Sequence, residues 1–326
     1  MPLWVRNKAL EVLLILNGFI NFLKPPGITS HDVVEIIRSS FPQTKVGHGG
    51  TLDPGAAGVL PILLGKATKL SAYLLNLPKL YRAELFLGIT TDSDDSTGRV
   101  IDQKKAIPLN IEKIEEVFNT FVGEIYQTPP MFSAIKQKGK KLYEYARKGV
   151  TLHRNPRKVI IYLLKIIDYF PPERILLEVK CSKGTYVRTL CRQLGEALGF
   201  GGHMSFLLRK EVGNFLLSEA ITFEDLNFYL NGCFPVGKIL LPPDFPFRHM
   251  DALFLEWDSI ENLIHGARVA LKVLRGKNLN SRIEPVDGKI VAVYTTKREF
   301  LGLAKWKINK NAEFVLIPEK VIDFNN

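Results

Sequence analysis

Apolar positions along this chain change period repeatedly, and each change marks an element. Thr29 to Asp32 reads as a capping box that opens a helix with Val33, Ile36 and Ile37 on one face. Tyr81, Ala83, Leu85 and Leu87 alternate with Arg82 and Glu84, the period of a half-buried strand. Ile111, Ile114, Phe118 and Phe121 return to helical spacing, with Gly123 as the expected stop. Val159 to Phe170 and Arg174 to Cys181 predict two strands joined by a turn at Pro171-Pro172-Glu173, and a helix follows from Thr189 to Leu198 with Gly199 as its stop. Strands and helices intermix without strict βαβ alternation, so the expected class is α+β with a mixed, mostly antiparallel sheet.

Near residue 235 the pattern changes. Pro235, Pro242, Pro243 and Pro246 crowd a short stretch that reads as a linker. Beyond it the spacing predicts a short helix ending near Gly266 and strands at Lys289–Thr295 and Phe300–Trp306. With 326 residues the chain exceeds the usual single domain. The expected division is an extension over 1–16, a large domain over 17–235 and a small β-rich domain over 236–326.

Charge sharpens this division. The net charge is +11, and residues 1–235 carry 30 Lys/Arg against 22 Asp/Glu, so the basic excess sits mainly on the larger domain. A polyanionic partner fits that bias. From Ile135 to Val159 there are nine Lys/Arg and one acid, Glu144, with Tyr143 and Tyr145 interleaved. Such a run either neutralises phosphates or forms a solvated helix face. Three cysteines without a CxxC pair, and six scattered histidines, argue against disulfides and against a bound metal. No run reaches the ~18 apolar residues of a membrane span. The start, MPLWVRNKALEVLLIL, is superficially like a signal peptide, but Glu11 interrupts it and no small-residue cleavage site follows. A cytoplasmic protein is therefore expected, with residues 1–16 an extension or a misassigned start.

The candidate chemistry lies in GHGGTLDPGAAGV, Gly47 to Val59, where five glycines surround one carboxylate, Asp53. Glycine permits positive φ and close backbone approach, so such a loop can fix an acid while a substrate comes near; equally, Asp53 could cap the next helix. The chain lacks GxxxxGK[ST] and GxGxxG, and without a GxSxG elbow His48-Gly49-Gly50 is not an esterase oxyanion loop. The cluster Asp92, Asp94, Asp95, Ser96 and Gly98 has the wrong spacing for an EF-hand and reads as a turn.

Taken whole, KVGHGGTLDPGAAGVLP (Lys45 to Pro61) resembles the signature of the TruB family of tRNA pseudouridine synthases. NGFINFLKPPGITSHDV (Asn17 to Val33), KLYRAELFLG (Lys79 to Gly88), TDSDDSTG (Thr91 to Gly98), PPMFSAIKQKGKKLYEYARKG (Pro129 to Gly149) and CSKGTYVRTL (Cys181 to Leu190) follow in family order. The resemblance implies a pseudouridine synthase catalytic domain followed by a PUA-like RNA-binding domain. The expected reaction isomerises the uridine at position 55 of the tRNA T loop. Breaking C1′–N1, turning the uracil and joining C1′ to C5 requires neither redox chemistry nor net water, so no cofactor is expected.

The family's residue roles fall on this chain position by position. Asp53 is the essential carboxylate, acting at C1′, at C6 or on the C2′ proton. Arg188 pairs with it and holds it ionised, Asp95 belongs to the network around that arginine, and Tyr81 stacks on the base and serves in deprotonating C5. Tyr186 is a second pocket aromatic and Leu207 lies beneath the base. His48 enters the space vacated by flipped nucleotides, as extrusion of a stacked base requires. Lys24 and Lys183 are structural or phosphate partners, and segment 129–158 grips the RNA stem. The tRNA T arm is the expected partner, for a monomer needing no other protein.

Three departures stand out: Gly49 where the family commonly has Thr, Gly55 where it has Leu, and Leu208 for the first Arg of Leu-Arg-Arg. The first two are expected to loosen the loop, and the third to remove an RNA or carboxylate contact. Rival readings are a catalytically weak RNA-binding or tRNA-folding protein, and a guide-RNA-dependent synthase acting on ribosomal RNA.

Overall fold

The computed structural model describes residues 16–322 except 134, 138, 234–235 and 271–283. The extension expected over 1–16, apart from residue 16, lies outside the described residues. So does Pro235.

In chain order the elements are β1 (Gly18–Lys24), α1 (Ser30–Ser40), β2 (Val46–His48), β3 (Ala57–Leu64), α2 (Ser71–Asn76), β4 (Lys79–Leu87), β5 (Ile89–Thr91), β6 (Val100–Gln103), α3 (Ile111–Asn119), β7 (Gly123–Gln127), β8 (Lys136–Gln137), β9 (Lys140–Lys141), α4 (Leu142–Ala146), β10 (Arg157–Phe170), β11 (Arg174–Cys181), α5 (Val187–Ala197), β12 (Gly202–Val212), β13 (Phe215–Leu216), α6 (Phe223–Leu230), β14 (Ala252–Leu255), α7 (Trp257–Ile264), β15 (Val269–Ala270), β16 (Ile290–Thr295), β17 (Phe300–Ile308) and β18 (Phe314–Val321). The first nine-stranded sheet runs β1-β3-β12-β4-β11-β10-β7, with β2 added on β3 and β13 on β12. Every neighbouring pair on that path is antiparallel except β3 and β12. The fold is α+β with a mixed, mostly antiparallel sheet, as the periodicity predicts. A second sheet, β14-β16-β17-β18-β15, forms the β-rich C-terminal part.

Local chemistry sets the boundaries. Thr29 accepts from the Asp32 amide while the Asp32 carboxylate accepts from the Thr29 amide, so α1 begins where its capping box does. Helix α3 ends at Asn119, earlier than its apolar spacing suggests. Thr120 and Phe121 turn back with their amides on Val117 and Phe118, and Gly123, at φ +100°, opens β7 instead of closing the helix.

Ala83, Leu85 and Leu87 of β4, and Ile175, Leu177 and Val179 of β11, point into one core with Ile114 and Phe118 of α3 and Leu190 and Leu194 of α5. Strand β3 is buried on both faces: Leu60, Ile62 and Leu64 pack with Val33 and Ile37 of α1, while Val59 and Leu63 face a different cluster. That cluster joins the two sheets, bringing Phe19 of β1 together with Phe247, Phe300, Leu303 and Ile322. Nor is the proline-rich stretch an open linker. Phe19 and Leu241 exchange both backbone hydrogen bonds at 2.8 Å, and Ile239 packs with Ile20 and Phe22.

Gly49 does not loosen its loop. It is buried, and a Cβ at that position would lie 2.6 Å from Leu74 Cδ2, 3.2 Å from Leu74 Cβ and 3.3 Å from Pro61 Cβ. Leu74, fully buried, occupies the volume that a side chain at 49 would need. Gly55 differs, because it is exposed and its added Cβ meets nothing within 4 Å. Gly49→Thr should therefore destabilise by about 1–3 kcal/mol in urea unfolding through overpacking. Combining it with Leu74→Ala should cost less than the two single losses added together, a positive coupling that independent sites would not give.

Candidate active site

The loop from Gly50 to Ala56 carries Asp53 outward while its neighbours are anchored inward. Leu52 and Ala56 are buried in the main core with Leu207. The hydroxyl of Ser30, at the start of α1, accepts from the Leu52 amide at 2.9 Å and donates to the Leu52 carbonyl at 3.2 Å. Asp53's own carbonyl accepts from the Ala56 amide at 3.0 Å.

Two buried cations hold the carbonyls of Gly50, Thr51, Pro54 and Ala56. Lys24 Nζ donates to Pro54 O at 3.2 Å, Ala56 O at 2.7 Å and Pro25 O at 2.8 Å. Lys24 is fully buried and burial lowers its pKa to about 8; of the two roles expected for it, structural or phosphate partner, it fills the structural one, because its three donors are spent on backbone carbonyls. Arg209, also buried, donates to the carbonyls of Val59 (2.7 Å), Thr51 (3.2 Å) and Gly50 (3.3 Å). Neither residue's clamping role is readable from local spacing. The available signal for Arg209 is an arginine directly after Leu207-Leu208 in a strand.

The Asp53 side chain is 39% exposed and faces Arg188, which is 7% exposed. Arg188 Nη2 lies 3.1 Å from Oδ1 and 2.9 Å from Oδ2 of Asp53 and also donates to Phe132 O at 3.0 Å, while Nη1 donates to Asp95 Oδ2 at 3.3 Å. Asp95 is itself held, its Oδ1 accepting from Ser93 Oγ, Thr97 N and Thr97 Oγ1 at 2.7, 3.0 and 2.6 Å. One turn further along α5, Arg192 pairs with Asp94 at 3.1 Å, and Thr189 donates to the same carboxylate at 3.2 Å. Adjacent aspartates thus meet arginines at i and i+4 on one helix face. Asp94 does more than shape its turn.

Desolvation in the cleft pushes the Asp53 carboxyl above its ordinary value, and the Arg188 guanidinium opposes the shift. The arginine restrains the rise without reversing it. Burial likewise pushes the Tyr81 phenol upward, against the opposing charge of Arg209. Tyr81 packs at the edge of the core that contains Leu207. Tyr186 stands at the N-cap of α5 with its backbone held on both sides by the buried Gln127, whose Oε1 accepts from Tyr186 N at 3.0 Å and whose Nε2 donates to Tyr186 O at 3.2 Å. Gln127, on β7, is a second residue that sequence reasoning missed.

Lys183 is exposed and donates to Asn76 Oδ1 at 2.7 Å. His48 sits at the other end of the loop, its Nδ1 accepting from the Gly50 amide at 3.3 Å, which places the proton of the neutral ring on Nε2. Burial lowers its pKa. A cavity of about 320 Å³ adjoins it, with His31, Arg38 and Lys45 on its wall and Val34 and Leu63 in its lining. Asp53 does not line that cavity, and its carboxylate is part-exposed beside Arg188.

Among its described residues, segment 129–158 contains the paired strands β8 and β9, the short helix α4 and the start of β10. Tyr143 lies between Lys141 and Arg147, each with its charge 5.4 Å from the ring centroid. Phe132 O ties this segment to Arg188, and so to Asp53.

Residues 38–187 match the model of the TruB family pseudouridylate synthase N-terminal domain, and residues 188–233 match the tRNA pseudouridylate synthase B C-terminal domain. The tRNA pseudouridine synthase B of Alkaliphilus oremlandii is 48% identical over 287 residues, 88% of this chain and 92% of that protein. That of Heliobacterium modesticaldum is 48% identical over 310 residues, covering 94% and 96%. Among solved structures, a Cbf5-Nop10-Gar1 complex superposes with a TM-score of 0.72 at 30% identity, covering 95% of this chain and 86% of that one. Family models, close relatives and fold agree, and the chain belongs to the TruB family of pseudouridylate synthases.

Proposed function

We propose that this protein isomerises the uridine at position 55 of the tRNA T loop to pseudouridine, with Asp53 as the essential carboxylate. The observation that carries the reading is the pairing of an accessible carboxylate with a buried guanidinium on a loop whose carbonyls from Gly50 to Pro54 all have partners. Such a carboxylate keeps its orientation while a nucleotide enters, as acid–base or nucleophilic work on the sugar or base demands. The relatives' name, tRNA pseudouridine synthase B, supports tRNA as substrate.

The flanking groups fit the same reading. Tyr81 supplies a flat face for the uracil and a phenol for the C5 proton, Leu207 supports the base from the core, and Tyr186 closes the pocket from α5. The neutral ring of His48 can fill the gap left by an extruded base without leaving an unpaired charge in the stack. Lys45, Arg38, Lys183 and the hairpin of segment 129–158 supply phosphate contacts, and the C-terminal sheet serves as a PUA-like RNA-binding surface. Among the described residues no helix is long and apolar enough to cross a membrane. We place the enzyme in the cytoplasm, acting as a monomer without an obligatory protein partner.

The deciding experiment is pseudouridine mapping on an unmodified tRNA transcript and on a bare T-arm hairpin, each incubated with the protein alone. Modification of position 55 in both is expected; none in either would favour a guide-dependent or non-catalytic role. Asp53→Asn should abolish tritium release from 5-tritiated uridine in tRNA with binding retained, and full activity in that variant would sink the assignment.

The pH dependence follows from the direction of the Asp53 shift. Because its pKa is raised, the working carboxylate is protonated at a higher pH than an ordinary aspartate, so the acid limb of the single-turnover rate should lie above 3.8. Replacing Lys140, Lys141, Arg147 and Lys148 by Ala should weaken binding evenly across tRNA sequences. It should also flatten the plot of log affinity against log salt by about 0.7–0.9 for each phosphate that is no longer neutralised.

A further inference from the structure

Arg209 is among the largest fully buried side chains, and its hydrogen-bonding partners are carbonyl oxygens in place of the carboxylate a buried cation usually meets. Its place in the sheet explains why. On β12 it pairs with Gly58 of β3 in parallel register and with Tyr81 of β4 in antiparallel register. Gly58 has φ +121°, and a Cβ there would lie 2.2 Å from the Arg209 carbonyl oxygen, so the end of the catalytic loop meets β12 at a distance glycine alone allows. Directly opposed residues of antiparallel strands share a face, which puts the guanidinium and the Tyr81 ring on the same side. From there the Arg209 charge opposes the rise that burial gives the Tyr81 phenol.

We propose that Arg209 is a positioning residue for the isomerisation. Its planar guanidinium holds the carbonyls on both sides of Asp53 against the sheet face that Tyr81 shares, so one rigid group sets the spacing between carboxylate and phenol across the reacting nucleotide. Ser30 and Lys24 also grip the loop, at Leu52, Pro54 and Ala56, but from α1 and β1, neither of which pairs with the strand that carries Tyr81. Arg209 bridges the loop to the strand carrying Tyr81. A guanidinium can do this because its five donors lie in a fixed fork, whereas an ammonium offers three rotating donors from a single point. The inference rests on the roles given above to Asp53 and Tyr81.

Arg209→Lys tests it, since the charge is kept and the fork is lost. Three quantities are measured: the single-turnover rate of pseudouridine formation on unmodified tRNA transcript, tRNA affinity by filter binding and the thermal midpoint. Each is repeated in a Tyr81→Phe background, with Asp53→Asn in parallel. The rate should fall at least about tenfold while affinity stays within about twofold. In the Tyr81→Phe background the same substitution should cost less than about threefold, because the hydroxyl it aligns is gone. Equal losses in both backgrounds, affinity falling as far as rate, or an unchanged rate each overturn the inference. Should Arg209→Lys not fold, Arg209→Gln, planar but with fewer donors, is judged by the same outcomes. A fully active Asp53→Asn removes the underlying reading and this inference with it, whereas an inactive Asp53→Asn beside an unaffected Arg209→Lys removes the inference alone.

Discussion

Backbone carbonyls held by buried cations are the constraint on which this active site depends. A loop whose carboxylate stays part-exposed beside a buried arginine is not held by burying that side chain, so the polypeptide itself has to be gripped. Lys24 from β1 and Arg209 from β12 do this, with the hydroxyl of Ser30 between them. Buried charge is costly when unpaired, and three hydrogen bonds from each cation to carbonyls both offset that cost and fix the loop. Glycine makes the approach feasible at Gly58, where β3 and β12 run parallel.

The second layer is Arg188. It draws together the catalytic loop, the Asp92–Gly98 turn, helix α5 and, through Phe132, the basic segment. These four pieces are far apart in the chain, and a single guanidinium with 7% exposure gives them a common reference point. The segment best suited by charge to meet RNA is thereby connected to the carboxylate through one hydrogen-bonded side chain. The rise in the Asp53 pKa shows the price of this arrangement: the cleft that orients the carboxylate also desolvates it.

Much of this is legible from local pattern. The capping box at Thr29, the alternation at Tyr81 to Leu87 and the strand pair at Val159 to Cys181 depend on neighbours within a few residues, and so appear in the sequence. The pairing of Arg188 with Asp53 and Asp95 is accessible through the family resemblance, since its partners lie 135 and 93 residues away. Long-range clamps with no motif of their own are not. Arg209 reaches carbonyls 150 to 159 residues distant, and a carbonyl carries no mark of its residue type. Lys24 reads as structural or phosphate-binding, and burial decides for structure. Gly49 reads as a loosened position because its compensation, Leu74, lies 25 residues on in an ordinary helix. Helix α3 stops short of its apolar spacing because Phe121 continues that spacing after the backbone has already turned.

The cluster that unites the two sheets has a consequence for how the chain comes into being. Phe19 near the start of the described residues and Ile322 at their far end pack in the same core, with Phe247, Phe300 and Leu303 between them in sequence. During synthesis, β1 emerges early, and Phe19 can be covered in part by Leu74 and Phe215, but the cluster is completed only when Phe300, Leu303 and Ile322 have left the ribosome. The nine-stranded sheet therefore carries an incomplete apolar cluster until β16 and β17 are made.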